Sequence, residues 1–193
     1  MRALKNDTLF EDGSGDPPSS ISQRVAAIIA ARIETIAIAS FFRPPPLLIP
    51  VPKSSLHKDE SLWVPLQLAD ALLNRGLGDR VAPLLRRTVA IPKAATSIAS
   101  ERPRARLHFD TLAVQTELGP APASFLLVDD IVTRGAALVG AASRLGVSYP
   151  GIPIKAFAAI RTESDPANLA KITDPRVEII RLRNDGTTLR RPI

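Results

Sequence analysis

One stretch of the sequence decides the fold: FLLVDDIVTRGAAL, residues 125–138. Its first four residues form a continuous apolar run, which is typical of a strand covered on both faces. Two adjacent acids, Asp129 and Asp130, end this predicted strand, and a short loop containing Thr133 and Gly135 leads into a helix rich in small residues. In open α/β sheets, ligands bind beyond the carboxyl ends of the strands. We therefore expect the binding site at this loop.

The loop combines groups that suit a sugar phosphate. Its amides, from Thr133 to Ala137, would lie at a helix N-terminus, where amide groups and the helix dipole favour an anion. Gly135 lets the backbone approach that anion closely. Asp129 and Asp130 beside an anion site suit a ligand that also carries vicinal hydroxyls. A ribose 5-phosphate carries both groups.

This segment has two other interpretations. An apolar strand ending in two acids is also found at the magnesium site of P-loop ATPases, but that fold needs a glycine-rich loop ending in Gly-Lys-Ser/Thr. None of the ten glycines is followed by lysine. The acids could instead only cap the next helix. The length and order of the segment favour a ligand site over such a cap.

Apolar runs alternate with helical patterns along the chain, which predicts an α/β fold with a mostly parallel central sheet flanked by helices. Strands are predicted at residues 47–51, 80–85, 108–115, 125–128, 154–160 and 177–183. Helices are predicted at residues 20–36, 61–74, 135–145 and 168–172. A long basic loop is expected at residues 86–106, and Asn184-Asp185-Gly186 predicts a hairpin turn. We expect residues 1–20 to form a flexible arm and residues 21–193 to form one domain.

Composition excludes several kinds of chemistry. The 193 residues include no cysteine and two histidines, which excludes disulfides, thiolate metal sites and cysteine nucleophiles and disfavours a multi-histidine metal centre. The net charge of +6 attracts phosphate in any form, nucleic acid included. No secretory signal opens the chain, and Arg32 and Glu34 interrupt the long apolar stretch at 25–42, so we expect a cytoplasmic protein.

The segment 125–138 resembles the phosphoribosyl pyrophosphate signature of type I phosphoribosyltransferases: an apolar strand, two acids, two apolar residues, then Thr-x-Gly-x-Thr/Ser. The similarity extends over most of residues 47–162. Residues 49–54 are placed like the pyrophosphate loop after the first core strand, and residues 93–108 lie where the family has its mobile catalytic loop. The arrangement is most like competence-protein-F-like members, which also start from a Pro-Val-Pro strand. The resemblance therefore implies a phosphoribosyltransferase-like core with a small hood, formed here by the N-terminal helix and the tail beyond Arg161.

The resemblance also implies a role for each site residue. Asp129 and Asp130 would bind the ribose hydroxyls and hold Mg²⁺ through substrate or water. The 5-phosphate would be held by Thr133, Arg134, Gly135, Ala136 and Ala137. Lys53 and Ser54 would face the pyrophosphate, with Lys93 or Arg102 closing over it. Ala137 replaces the usual hydroxyl residue, and loss of that hydrogen bond would cost about 1.5–3 kcal/mol unless Arg134 or an amide compensates.

The implied activity is transfer of a phosphoribosyl group to a nitrogen acceptor, a nucleobase or a related small molecule, with release of pyrophosphate by a homodimer. The alternative is a non-catalytic regulator that binds phosphoribosyl pyrophosphate or a nucleotide together with nucleic acid or a protein partner. The pI of about 10.3 and Ala137 favour the alternative. An aromatic content of 4% and the lack of a helix-turn-helix pattern disfavour nucleic acid. For His108, a structural or a surface position is favoured over contact with substrate.

Overall fold

The computed structural model describes residues 2–11, 17–58, 60–92, 103–116, 119–163 and 174–193. In chain order its elements are α1 (Arg2–Lys5), β1 (Leu9–Phe10), β2 (Ser19–Ser20), α2 (Ile21–Arg32), a 3₁₀ turn (Ala39–Phe41), β3 (Leu47–Pro50), α3 (Val64–Leu73), β4 (Arg80–Val81), β5 (Leu85–Arg87), α4 (Ala105–Asp110), β6 (Leu112–Val114), β7 (Phe125–Val132), α5 (Ala136–Ser148), β8 (Ile154–Arg161), β9 (Glu178–Leu182) and β10 (Thr188–Pro192).

The central sheet has four parallel strands in the order β4-β3-β7-β8. Leu126 and Leu127 of β7 are fully buried on opposite faces of the sheet. Leu126 belongs to the core that includes Phe42 and Leu68, on the side of α2 and α3. Leu127 belongs to the core that includes Leu138 of α5. The predicted α/β class is therefore confirmed, with helices on both faces of a parallel sheet.

Strand β7 is longer than the sequence predicted. The apolar run ends at Val128, but pairing with β8 continues, with Asp129 opposite Ala158 and Val132 opposite Arg161. The amide of Thr162 also donates to the carbonyl of Val132 (2.9 Å). A partner strand of eight residues thus supplies backbone hydrogen bonds past the end of the apolar run. The two acids lie within the strand and not beyond it.

The prediction of a strand at residues 108–115 is wrong for its first part, because residues 105–110 form α4 and only Leu112–Val114 form a strand. Helix α4 packs closely on α5 at Gly140, where a Cβ atom would lie 2.5 Å from the Cβ of His108. This long-range contact outweighs the local alternation. β6 pairs with β5, so the predicted loop at 86–106 is also ordered at its start. Lys93 and Arg102 lie outside the described residues, as does the helix predicted at 168–172.

The described N-terminal residues contain regular structure. Within the predicted arm, α1 buries Leu4, and the Asp7 carboxylate accepts a hydrogen bond from the amide of Ser22 (2.8 Å). Helix α2 begins after Ser20, which forms a capping box with Gln23. It ends at Arg32, earlier than expected. No helix in the described ranges is long and apolar enough to span a membrane.

The C-terminal hairpin, β9 and β10, turns at the predicted Asn-Asp-Gly sequence. Its turn contacts the residue just before α4, since Arg104 Nη1 donates to the carbonyl of Asp185 (2.8 Å). Ile180 of β9 packs against the core beneath α5. We call β9–β10 the cover hairpin, because it lies over the start of α5.

Candidate functional site

Two loops meet at the carboxyl edge of the sheet. The amide of Val51, just after β3, donates to the carbonyl of Val128 in β7 (2.9 Å). Residues 52–55 therefore start beside Asp129, as expected for the carboxyl ends of neighbouring parallel strands. The structure brings the predicted pyrophosphate loop and the predicted ribose-binding acids to the same edge.

The loop after β3 is held through its carbonyl groups. Three of them accept hydrogen bonds from other parts of the chain: Val51 from Trp63 Nε1 (2.9 Å), Lys53 from Arg87 Nε (3.1 Å) and Ser54 from the amide of Ile91 (2.9 Å). The amides of Lys53, Ser54 and Ser55 have no acceptor in the described part of the chain. With these carbonyls engaged elsewhere, the amides of the loop are available to bind an anion.

The side chain of Lys53 points elsewhere. Its ammonium donates to Ser61 Oγ (2.9 Å) and to the carbonyl of Leu62 (2.7 Å), just before α3. The backbone of Lys53 thus belongs to the loop, while its charge is engaged at the start of α3. Direct contact between this ammonium and pyrophosphate stays a prediction.

Asp129 and Asp130 form a tightly spaced acidic pair. The amide of Asp130 donates to Asp129 Oδ1 and the amide of Ile131 donates to Asp130 Oδ1, each at 2.9 Å. Burial raises the pKa of Asp129 well above its usual range, and the neighbouring charge of Asp130 raises it further, while Lys5 opposes the shift. Hydroxyl donors or a cation would stabilise the ionised form of this pair.

The acidic pair supplies too few ligands for a metal ion on its own. In the described ranges there is no group of three or more histidine, aspartate or glutamate side chains that could hold one. Mg²⁺ keeps water and substrate oxygens in its coordination shell and takes one or two protein carboxylates. Asp129 and Asp130 offer two such carboxylates, and Mg²⁺ at this pair stays a prediction.

The loop after β7 provides the second group of amides. Gly135 is the N-cap residue of α5, with a left-handed conformation at φ 84°, and no side chain caps the helix. The amides of Gly135, Ala136 and Ala137 have no acceptor among the residues described. Thr133 and Arg134 are exposed beside them. Free amides at the start of α5 suit an anion.

The sequence pattern does not indicate the positions of two residues near the site. Ile180 of the cover hairpin lies against Gly135, where a Cβ atom would be 2.6 Å from Ile180 Cδ1. Arg87 was predicted within a basic loop, but β5 exposes Arg86 and buries Arg87, whose side chain is 3% exposed. Neither position carries a local signal, because each depends on a contact with a distant part of the chain.

His108 is buried against Arg87, in keeping with the structural role favoured for it. Its side chain is 8% exposed, and its Nδ1 lies 3.4 Å from Arg87 Nη2. Burial lowers the pKa of His108 to about 4, and the charge of Arg87 acts in the same direction. The ring is therefore neutral at physiological pH, with Nδ1 free to accept a hydrogen bond.

We expect the buried His108 to make folding sensitive to acid. Its pKa is about 4 in the folded protein, against about 6.5 when unfolded, so the unfolded state binds the proton first as pH falls. Protonation of His108 should therefore contribute a decrease of roughly 3 kcal/mol to the free energy of unfolding between pH 6.5 and pH 4, on top of the contributions of the carboxyl groups. Denaturant titrations across this range should show a smaller decrease for His108→Gln. His57→Gln, at an exposed histidine, should keep the full decrease, and equal slopes for all three proteins would contradict the assignment.

No protein-family model and no curated protein matches this chain. A solved structure of a hypoxanthine phosphoribosyltransferase from Staphylococcus aureus is similar over 73% of this chain and 63% of that chain, with a TM-score of 0.37 and 13% sequence identity. This chain thus spans less than two thirds of the length of that protein. Similarity at this level carries no conclusion about activity or substrate.

Proposed function

We propose that the protein is a phosphoribosyltransferase that binds phosphoribosyl pyrophosphate with Mg²⁺ and transfers the phosphoribosyl group to a nitrogen acceptor, a nucleobase or a related small molecule. One arrangement supports this above all: at one edge of a parallel sheet, an acidic pair lies in chain order between two groups of amides that have no acceptor among the described residues. A ligand with two anionic ends and hydroxyls between them matches that order. Phosphoribosyl pyrophosphate is such a ligand.

The amides of Lys53, Ser54 and Ser55 would contact the pyrophosphate, and those of Gly135 to Ala137 the 5-phosphate. Asp129 and Asp130 would accept hydrogen bonds from the ribose hydroxyls. Lys93 and Arg102, through the resemblance, would close over the pyrophosphate and exclude water. Within the family, the competence-protein-F-like group is favoured because Pro50-Val51-Pro52 leads from β3 into the loop.

In the reaction, the bond between C1 of the ribose and the pyrophosphate oxygen breaks, and that oxygen keeps the electron pair. The lone pair of the acceptor nitrogen forms the new bond to C1, and the nitrogen then loses its proton to solvent. The transition state resembles an oxocarbenium ion, whose positive charge the carboxylates of Asp129 and Asp130 would stabilise. Mg²⁺, when bound, supplies charge neutralisation for pyrophosphate.

The regulator stays the second candidate, since two observations favour it. Ala137 lacks the hydroxyl that the family uses at the 5-phosphate, and Ile180 places an apolar side chain against Gly135. Both features would weaken a phosphate site. A protein of this kind would bind phosphoribosyl pyrophosphate without releasing pyrophosphate from it.

An assay of the purified protein with phosphoribosyl pyrophosphate, magnesium and a panel of nucleobases tests the proposal. We expect pyrophosphate release that requires both magnesium and one acceptor. Binding of phosphoribosyl pyrophosphate in calorimetry, without release for any acceptor, would favour the regulator. Absence of binding for both phosphoribosyl pyrophosphate and ribose 5-phosphate would overturn both candidates.

A further inference from the structure

Arg87 is a buried cation without a described counter-ion. The acceptors around its guanidinium are all neutral: the carbonyl of Lys53 (3.1 Å), Thr111 Oγ1 (2.7 Å) and His108 Nδ1 (3.4 Å). No carboxylate lies within ion-pair distance of it in the described ranges. Burial of a charge without a partner is costly. Burial lowers the pKa of Arg87 to about 10, so the charge is nevertheless kept at neutral pH.

The guanidinium links the loop after β3 to α4. Thr111 Oγ1 donates to the carbonyl of Leu107 (2.6 Å), which leaves its lone pairs for Arg87. His108 is neutral and can accept at Nδ1. Each of the three guanidinium nitrogens of Arg87 therefore has one acceptor. Because the guanidinium is planar and is held by Thr111 and His108, it fixes the position of the Lys53 carbonyl.

The position of that carbonyl sets the direction of an amide. In a trans peptide the C=O and N–H groups point in opposite directions. When Arg87 holds the carbonyl of Lys53 towards the interior, the amide of Ser54 points away from it. The amide of Ile91 holds the carbonyl of Ser54 in the same way and so turns the amide of Ser55 outwards. The outward direction of the Ser54 and Ser55 amides thus depends on donors behind the loop.

We infer that Arg87 is a positioning residue for the pyrophosphate half of the site. It holds the Lys53–Ser54 peptide with its amide towards the ligand, and its charge lies behind the loop where the most negative part of the ligand would bind. The ligand chemistry is a pyrophosphate group, either within phosphoribosyl pyrophosphate or free. The inference rests on the proposed function for its biological meaning, while the anion site itself can be tested separately.

Calorimetric titration of Arg87→Met with magnesium pyrophosphate and with ribose 5-phosphate tests this role. We expect pyrophosphate to bind at least tenfold more weakly and ribose 5-phosphate to bind within twofold of the wild type, because the latter uses the amides of α5. Arg87→Lys keeps the charge without the planar fork and should recover only part of the affinity. Arg86→Met, at the exposed neighbour in β5, should change neither ligand.

Equal weakening of the binding of both ligands, or no weakening, would overturn the inference, as would a wild type that does not bind pyrophosphate.

If Arg87→Met does not fold, Thr111→Val provides a second test, because it leaves the guanidinium in place and removes one of its acceptors. Thr111→Val should still weaken the binding of pyrophosphate selectively. Unchanged pyrophosphate affinity would overturn the role. If the wild type binds phosphoribosyl pyrophosphate and Arg87→Met has no effect, the inference is wrong but the proposed function stands. If pyrophosphate binds and its binding depends on Arg87, but neither phosphoribosyl pyrophosphate nor ribose 5-phosphate binds, the proposed function is wrong but the inference stands.

Discussion

The double substitution Asp129→Asn with Asp130→Asn is expected to abolish phosphoribosyl transfer and, at the same time, to raise the melting temperature. The loss of activity follows from the role proposed for the pair at the ribose hydroxyls and at the developing positive charge. Removal of one preorganised polar group commonly costs about 10²–10³ in rate. We therefore expect a decrease on the order of 10³-fold or more for the pair, measured as pyrophosphate release.

The gain in stability follows from the pKa of Asp129. Burial and the charge of Asp130 raise this pKa, so the folded state holds the proton more tightly than the unfolded state does. The free energy of unfolding therefore falls as pH rises from the ordinary carboxyl pKa towards the raised value, and at higher pH the full loss remains. Asparagine is neutral and avoids that loss. Calorimetry at pH 7 should show most of the gain in Asp129→Asn alone.

A matched control is Asp79→Asn, because Asp79 is an exposed carboxylate at the opposite, amino end of the sheet, where its amide donates to the carbonyl of Pro46 (2.9 Å). It should change neither activity nor melting temperature. Full activity of the double variant would contradict the site. A lower melting temperature for Asp129→Asn would show instead that its carboxylate stabilises the fold. Groups that cost stability where a ligand binds are common in functional sites.

The central part of the fold could be predicted because its signals are local. A run of apolar residues at 125–128 marks a strand covered on both faces, and the small residues that follow mark a helix lying close to the sheet. Gly135 was predicted for close backbone approach and does adopt a left-handed conformation. Strand, acids, glycine and helix lie within one short segment, so no distant contact was needed to recognise the candidate site.

The parts that were missed depend on contacts between distant segments. Residues 108–110 alternate like a strand, yet they are helical because α4 packs on Gly140 of α5. β7 extends past its apolar run because β8 pairs with it to Val132. Arg87 looks like one of several loop arginines, and only its pairing in β5 turns it inwards. The cover hairpin was predicted as a hairpin, but the sequence does not indicate that it lies over Gly135.

The contact between Ile180 and Gly135 makes a substitution at Gly135 strongly destabilising. Gly135→Ala should destabilise the protein by about 2–5 kcal/mol, because alanine is strained in a left-handed backbone conformation and its Cβ overlaps Ile180. The overlap is severe, since the new atom would lie 2.6 Å from Ile180 Cδ1 and 2.9 Å from Cγ2, and a β-branched side chain has few ways to withdraw. The same change should weaken ribose 5-phosphate binding, because Gly135 belongs to the proposed phosphate loop.

A double-mutant cycle with Ile180→Ala separates the two costs. In the Ile180→Ala background, Gly135→Ala should destabilise the protein only through backbone strain, by about 1–2 kcal/mol. The coupling free energy between the two substitutions, measured by denaturant unfolding, should then be about 1–3 kcal/mol. Gly151→Ala is the matched control, since Gly151 has φ 85° and a Cβ there would meet nothing within 4 Å. Gly151→Ala should lower the free energy of unfolding by the same amount as Gly135→Ala does in the Ile180→Ala background. Equal penalties for Gly135→Ala in both backgrounds would mean that Ile180 does not lie on the phosphate loop in solution, and the apolar cover could then no longer count in favour of a regulator.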